Sequence, residues 1–457
     1  MNVLKKSILS LVVFSFVFSS SVYAQNVVYS ENVAAEMANP QYWLDKTKNS
    51  EKVILNQAEI KKYNEKTMKQ MTSIGALYNL DEFPKTVSGD KIKNYINIDN
   101  FNWQAFEING SQIDEAYISS IKDNLNYDAI SEENTVSYGI TVKRSNLVMM
   151  PSFDDFIATP AQDFDNMLQI TEVLYNEPVI IVHKSKDSKW CYCICEASSG
   201  WLPSENIALC SDADEWNKAK SLDSFLVVTG DDIYLEYDAT KANRESSAFS
   251  FSMGTILPLA DSVPEKVEGR LPINCYVVYL PIRNELGMLE YEYRLVPISR
   301  DVNVGYLPYT TDNVLRLAFK KLGNVYGWGG TLDSDDCSGY IRNLYRCFGF
   351  NFPRNSSKIA ITPFKYQDIS EKTVDEKKKI FDKLLPGSLV YMKGHIMIYL
   401  GKENDMYYVI NSIGTYIKPN ETEITQVLGV NVNTLDVKRS SGKTWLEDIA
   451  SVNQITK

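Results

Sequence analysis

The pattern of apolar and polar positions changes character twice along the chain. From about residue 25 to 130 the spacing is helical. Asn56-Gln57-Ala58-Glu59 reads as a capping box opening a helix, with Ile60, Tyr63 and Thr67 on one face. The run Gln41-Tyr42-Trp43-Leu44 is apolar enough to dock this segment on another part of the protein. From about 131 to 310 the texture becomes short β-rich runs broken by Gly, Pro, Asn and Asp. Val179–Val182, Trp190–Ile194 and Cys275–Leu280 are the strand candidates. Gly200-Trp201-Leu202-Pro203 and Gly305-Tyr306-Leu307-Pro308 form a weak internal repeat that ends two successive blocks, which predicts two small β-barrels. One larger β-sandwich is the alternative. After 310 the pattern becomes mixed. Thr310-Thr311-Asp312 caps an amphipathic helix that carries Val314, Leu315, Leu317, Ala318 and Leu322 and stops at Gly323. A Gly/aromatic loop, a second helix, a polar connection from Ile359 to Leu385 and paired strands at Leu389–Tyr391 and Ile396–Leu400 follow, as expected of an α+β domain.

At 457 residues the chain is too long for one core. The predicted architecture is multidomain: a helical N-terminal clip (25–130), a first barrel (131–213), a second barrel (214–309) and a C-terminal α+β domain (310–457). Ahead of them, Lys5 and Lys6, the apolar run from Ile8 to about Phe18 and Val22-Tyr23-Ala24 have the layout of a secretory signal peptide over residues 1–24. That run is short of the ~20 residues needed to cross a bilayer. The protein is therefore expected to be exported, periplasmic or extracellular, with no stable membrane insertion after cleavage. Loss of the two lysines takes the formal net charge from −11 to −13. So acidic a chain lacks the electrostatic footprint for nucleic acid and suits a cationic or zwitterionic substrate.

Seven cysteines are an odd number, which leaves one free even if the rest pair. Cys191, Cys193 and Cys195 alternate along one predicted strand and share a face. A small-residue core surface is the expected role, with a metal site including His183 as the alternative. Cys337 is different. It lies in Tyr326-Gly-Trp328-Gly-Gly-Thr-Leu-Asp-Ser-Asp-Asp336-Cys337-Ser338-Gly339, where Asp336 can cap a helix bearing Tyr340, Ile341, Leu344, Tyr345 and Phe348 on its buried side. Backbone N–H groups and the helix dipole in a first turn favour a thiolate. Gly339, which would cost helix stability, suggests a second backbone packed closely there. Cys347 on the same helix reads as a buried structural thiol.

A thiol nucleophile needs a base, and the chain has only two histidines. His183 ends an apolar strand in the β-rich part. His395 opens the strand Ile396–Leu400 in the same domain as Cys337, the arrangement papain-like enzymes use. Asn411 interrupts the next strand, Tyr407-Tyr408-Val409-Ile410-Asn411-Ser412, and its carbonyl can accept from the far ring N–H of His395. A plain strand-end role is the alternative for Asn411.

Asp336-Cys337-Ser338-Gly339, Phe352-Pro353-Arg354-Asn355-Ser356-Ser357 and Gly394-His395-Ile396-Met397-Ile398-Tyr399-Leu400-Gly401 together resemble the NlpC-type family of papain-like cell-wall cysteine peptidases, over about residues 311–420. The whole layout resembles its multidomain members, with an N-terminal clip, two bacterial SH3-like barrels and the peptidase, similar to γ-D-glutamyl-L-diamino-acid endopeptidases. The resemblance implies catalytic roles for Cys337, His395 and Asn411, an oxyanion hydroxyl from Tyr326, and substrate contacts from Asp336, Ser338, Ser356 and Trp328. It implies peptidoglycan stem peptides with a free N-terminal L-Ala as substrate, a monomer, and neither metal nor other cofactor. The third position is commonly His in the family, and here it is Asn411. The competing expectation is a wall-binding protein whose amidase or acyltransferase domain is weak or vestigial.

Overall fold

In the computed structural model, which describes residues 27–158, 165–242 and 248–456, the C-terminal part is built on a six-stranded antiparallel sheet. Its order is 365–368, 449–454, 389–392, 395–403, 406–417 and 424–434. Period-2 alternation sorts the side chains of each strand onto two faces. Ile396, Ile398, Leu400, Tyr408 and Ile410 pack on one side against Tyr340, Ile341, Leu344 and Tyr345 of the helix Cys337–Arg346. Met397, Tyr399, Tyr407 and Val409 face the other side, with Phe381 and Trp445. The helix Thr311–Lys320, capped by the Thr310 hydroxyl on the Asn313 N–H, completes the layer, and the chain passes Gly323 at φ +89°.

The polar connection from 359 to 385 carries a strand and a helix. Lys365–Asp368 is an exposed edge strand, and Val374–Phe381 is a helix with a Thr373/Glu376 capping box. Both are mostly polar on their surface, so neither shows an apolar stripe along the sequence.

The first β unit is a seven-stranded antiparallel sheet containing Val179–Val182 inside the strand Pro178–Lys184, and Trp190–Cys195. The sulfurs of Cys191, Cys193 and Cys195 join one apolar cluster with Leu147, Ile181 and Leu202, while Trp190, Tyr192 and Ile194 face another. All seven cysteines are free thiols. In the second β unit, Cys275–Arg283 and Leu289–Pro297 form a hairpin in continuous register from Cys275↔Pro297 to Arg283↔Leu289.

The N-terminal part divides in two by what it packs against. The capping box at Asn56 forms as expected, and the helix Gln57–Ser73 buries Ile60, Tyr63, Thr67 and Met71. Met37, Trp43, Leu44, Ile60 and Tyr63 belong to the core that also holds the helix Cys337–Arg346. Trp43 lies over Tyr408, ring centroids 5.2 Å apart, which is the docking expected of that apolar run. Val87, Ile92, Ile121 and Leu125 instead join the core of the first β unit. Short strands pair these regions, Thr86–Ser88 with Glu133–Thr135 and Phe106–Ile108 with Ile157–Ala158, so the segment is less purely helical than its spacing predicts. The expected signal peptide falls on residues outside those described. No helix of the described residues is long and apolar enough to cross a membrane.

Candidate active site

Cys337 is the first residue of its helix because Asp336 caps it. The Asp336 carboxylate accepts from the backbone N–H of Ser338 (3.1 Å), Gly339 (2.8 Å) and, from the preceding loop, Gly329 (3.1 Å). The approach expected at Gly339 has a different form. A Cβ there would meet the side-chain oxygens of Asp336 and Asp335 at 3.3 and 3.5 Å rather than another backbone.

The tightest approach lies earlier, in the Gly/aromatic loop, where side chains of the first β unit press on the glycines. Gly329 and Gly330 have φ of +63° and +94°, and a Cβ on Gly330 would fall 1.7 Å from the Glu172 carboxylate of the first β unit. Only glycine fits both the conformation and the space. Glu172 is buried and forms an ion pair with Arg144 at 3.0 Å, while Asn343 of the Cys337 helix donates to its other oxygen at 2.8 Å. Arg144 also donates to the carbonyls of Asp333 and Ser334, both at 2.7 Å. The first β unit therefore fixes the loop that leads into Cys337.

Arg354, which carried no role in the sequence reading, completes this region. It pairs with both oxygens of Asp336, donates to the Ser338 hydroxyl at 2.7 Å, and reaches Thr171 of the first β unit at 2.6 Å. Asp336 and Ser338 thus hold the helix start and the Arg354 guanidinium together. With three N–H donors and a guanidinium on one carboxylate, Asp336 stays ionised, its acidity strengthened by Arg354 against the cost of burial. The signal that could have found Arg354 was its place directly after Pro353, between Asp336-Cys337 and Ser356 in the motif.

His395 opens its strand at the mouth of the sheet, after Gly394 at φ +83°. Its Nε2 lies 2.7 Å from Asn411 Oδ1. Which ring nitrogen holds the proton follows from the amides behind it. Asn433 Nδ2 donates to the Thr434 carbonyl (2.9 Å), so Asn433 Oδ1 is the acceptor for Asn411 Nδ2 (2.8 Å). Asn411 Nδ2 also reaches the Asn431 carbonyl at 3.3 Å. Asn411 Oδ1 is left as acceptor, His395 Nε2 must carry the hydrogen, and Nδ1 is the free base. The Trp445 ring packs edge-on against the imidazole, centroids 5.3 Å apart.

Tyr326, Cys337 and His395 line one open cavity of about 350 Å³. Burial and the charge of Asp336 keep the Tyr326 hydroxyl protonated well into the alkaline range, so it is available as a donor. Trp328 stands 40% exposed on the loop, and Ser356 is buried at the start of the short helix Ser356–Ala360. Neither is part of the wall of this cavity.

The protonation states differ from the expected thiolate. Burial, joined by the neighbouring Asp336 charge, pushes the Cys337 thiol up to about 12, against the lowering effect of the N–H groups of Ile396 and Ser338. Burial lowers His395 to about 4, despite the hydrogen bond it donates to Asn411. The first-turn dipole favours a thiolate, but loss of water around the sulfur outweighs it. Burial thus disfavours a resting thiolate–imidazolium pair.

Other sequence candidates resolve into packing. His183 Nε2 contacts the Leu125 carbonyl at 2.9 Å with its ring against Trp201, on the face opposite the three cysteine sulfurs. Cys347 is fully buried, with Sγ 3.4 Å from the Val228 carbonyl. Among the described residues no cluster of His, Cys, Asp or Glu could hold a metal ion.

Comparison with known proteins identifies two of the domains. The profile of the NlpC/P60 family matches residues 323–445, and that of the SH3 domain (SH3b1 type) matches residues 151–203. No curated protein matches the chain by sequence. Among solved structures, an NlpC/P60 endopeptidase from Photobacterium damselae subsp. piscicida is similar in fold, with a TM-score of 0.67 at 17% identity over 89% of this chain and 95% of that one. An NlpC/P60 family protein from Bacillus cereus is also similar, with a TM-score of 0.48 at 17% identity over 70% of this chain and all of that one. The chain is thus a multidomain protein in which an SH3-like β domain precedes a papain-like α+β domain of the NlpC/P60 family.

Proposed function

We propose that this is an exported cysteine peptidase that hydrolyses peptidoglycan stem peptides at the γ-D-glutamyl-L-diamino acid bond, in peptides with a free N-terminal L-Ala. The observation that carries the reading is the His395–Asn411–Asn433 amide chain, which leaves Nδ1 of His395 as a free base on the cavity that Cys337 also lines. In this reading Nδ1 takes the thiol proton as Cys337 Sγ attacks the γ-glutamyl carbonyl. Proton transfer accompanies the attack. The Tyr326 hydroxyl and the Cys337 N–H stabilise the oxyanion. The imidazolium returns its proton to the leaving amine, and water, deprotonated by His395, hydrolyses the thioester and regenerates the thiol.

Asp336 and Ser338, held together by Arg354, would contact the substrate's amino end. Trp328, exposed on its loop, would contact the substrate from the rim. The test is cleavage of L-Ala-γ-D-Glu-diaminopimelate, with and without an acetylated L-Ala amine, by the wild-type protein and Cys337→Ala. Cleavage of the free-amine peptide alone, abolished by the substitution, is the expected result. Undiminished cleavage by Cys337→Ala would refute the mechanism.

A further inference from the structure

Beyond His395 the cleft continues, and its chemistry is unlike the rest of the chain. His395 must protonate the leaving amine, so the residue released on cleavage lies on the His395 side of Cys337. There the cavity is walled by Ile413, Ile417, Ile424 and Trp445, with Lys438 and Arg439 facing it. No carboxylate is among the lining residues, although the chain as a whole has a net charge of −11.

The two cations are not equivalent. Arg439 is committed: its Nη1 donates to the Lys393 carbonyl at 2.9 Å and pairs with Asp448 at 3.1 Å. Lys438 has no carboxylate within ion-pair distance among the described residues, and only its backbone is tied down. Its N–H donates to the Ile417 carbonyl at 2.7 Å, and its carbonyl accepts from the Ile417 N–H at 3.0 Å. A further bridge joins Lys438 to Thr444. The backbone is therefore held on both sides, and it places a flexible, unpaired ammonium at the cavity wall. A half-buried cation without a partner beside an apolar wall is arranged to receive an anionic group carried on an aliphatic stem.

We propose that Lys438 is the specificity determinant of the leaving-group side: it binds a carboxylate on the residue released by cleavage, whose aliphatic side chain packs on Ile417, Ile424 and Trp445. The inference rests on the peptidase reading above and adds to it the charge required of the departing residue.

The test compares L-Ala-γ-D-Glu-L-Lys bearing a free α-carboxylate with the same peptide as its α-carboxamide. Wild type is expected to prefer the carboxylate by roughly five- to tenfold in kcat/KM, mainly through KM, as befits a partly solvated ion pair. Lys438→Met should bring the two peptides to parity, and Lys438→Arg should keep the preference. Equal kcat/KM values in wild type, or a preference that survives Lys438→Met, would overturn the proposal. If neither peptide is cleaved, the peptidase reading fails separately, and binding of the same peptides to Cys337→Ala by calorimetry still decides the subsite: tighter binding of the carboxylate form, lost in Cys337→Ala/Lys438→Met, supports it, and equal binding refutes it.

Discussion

A histidine and cysteines lie on neighbouring elements twice in this molecule, in the first β unit and in the cleft, and only one of the two arrangements can do chemistry. In the β unit His183 pairs directly with Tyr192 across the strands, one residue from Cys191 and Cys193. Alternation then sends the imidazole to one side and the sulfurs to the other. The ring is spent on the Leu125 carbonyl, and burial raises all three thiols. In the cleft, Cys337 comes from a helix start and His395 from the mouth of a strand. The two belong to a helix and a strand packed in one core, and both line one cavity. Proximity in sequence is therefore less informative than the face each element presents.

The largest expected effect breaks the comparison at the sulfur. Cys337→Ala should lower kcat/KM by at least about 10⁴-fold, as removal of a nucleophile that acts as a unit with its base does elsewhere. Cys193→Ala should leave kcat/KM within about twofold of wild type and lower Tm instead, through the small cavity it opens. An active Cys337→Ala would sink the assignment. The two histidines come next. His395→Ala should cost about 10²–10⁴-fold in kcat, the range for a general base. His183→Ala should affect thermal stability alone.

A pH experiment sharpens the same contrast. With Cys337 pushed up to about 12 and His395 lowered to about 4, the free protein holds no thiolate–imidazolium pair at neutral pH. Iodoacetamide alkylation of Cys337 should then rise roughly tenfold per pH unit from 6 to 9. A rate plateau from pH 5 to 8 would show an ion pair and contradict the burial argument. His395 also leaves a stability signature. Between its ordinary pKa of about 6.5 and its folded value of about 4 the unfolded chain binds a proton that the native state refuses, so stability is greatest above pH 6.5 and falls as the pH drops through 4. The span is on the order of 3 kcal/mol. His395→Gln should flatten that slope in urea titrations at pH 4–7.

What could be read from the sequence follows the same logic of faces and elements. The helix caps at Asn56, Thr310 and Asp336 are local signals and formed as expected. The pairing of Cys337 with His395 was legible because so few histidines exist. Three things were not. The division of the N-terminal segment between two cores depends on contacts hundreds of residues apart, which local periodicity does not encode. The helix Val374–Phe381 was hidden by its charged surface, although Thr373 and Glu376 carried the capping-box signature. The high thiol pKa comes from burial that only the assembled cleft creates.

The smallest expected effect concerns Asn433, and it bears on why Asn411 can serve at a position commonly occupied by His. An asparagine side chain can flip, and a flipped Asn411 would present Nδ2 to His395, favour the other tautomer and leave Nδ1 protonated and useless as a base. The Asn433 amide prevents the flip, because its Oδ1 can only accept and its Nδ2 is held by the Thr434 carbonyl. Asn433→Leu removes that constraint and leaves one buried donor of Asn411 dependent on the longer contact to the Asn431 carbonyl. A lost buried partner costs about 1–3 kcal/mol, but only the fraction spent on the tautomer equilibrium reaches the rate. The expected loss in kcat is about three- to tenfold, against about ten- to hundredfold for Asn411→Ala. KM should stay unchanged, because neither amide lines the cavity. Nitrogen-15 shifts of His395 report the tautomer directly: protonated Nε2 in wild type and a mixture in Asn433→Leu. A single unchanged tautomer together with a reduced kcat would show that Asn433 acts on the strand's packing and not on the imidazole.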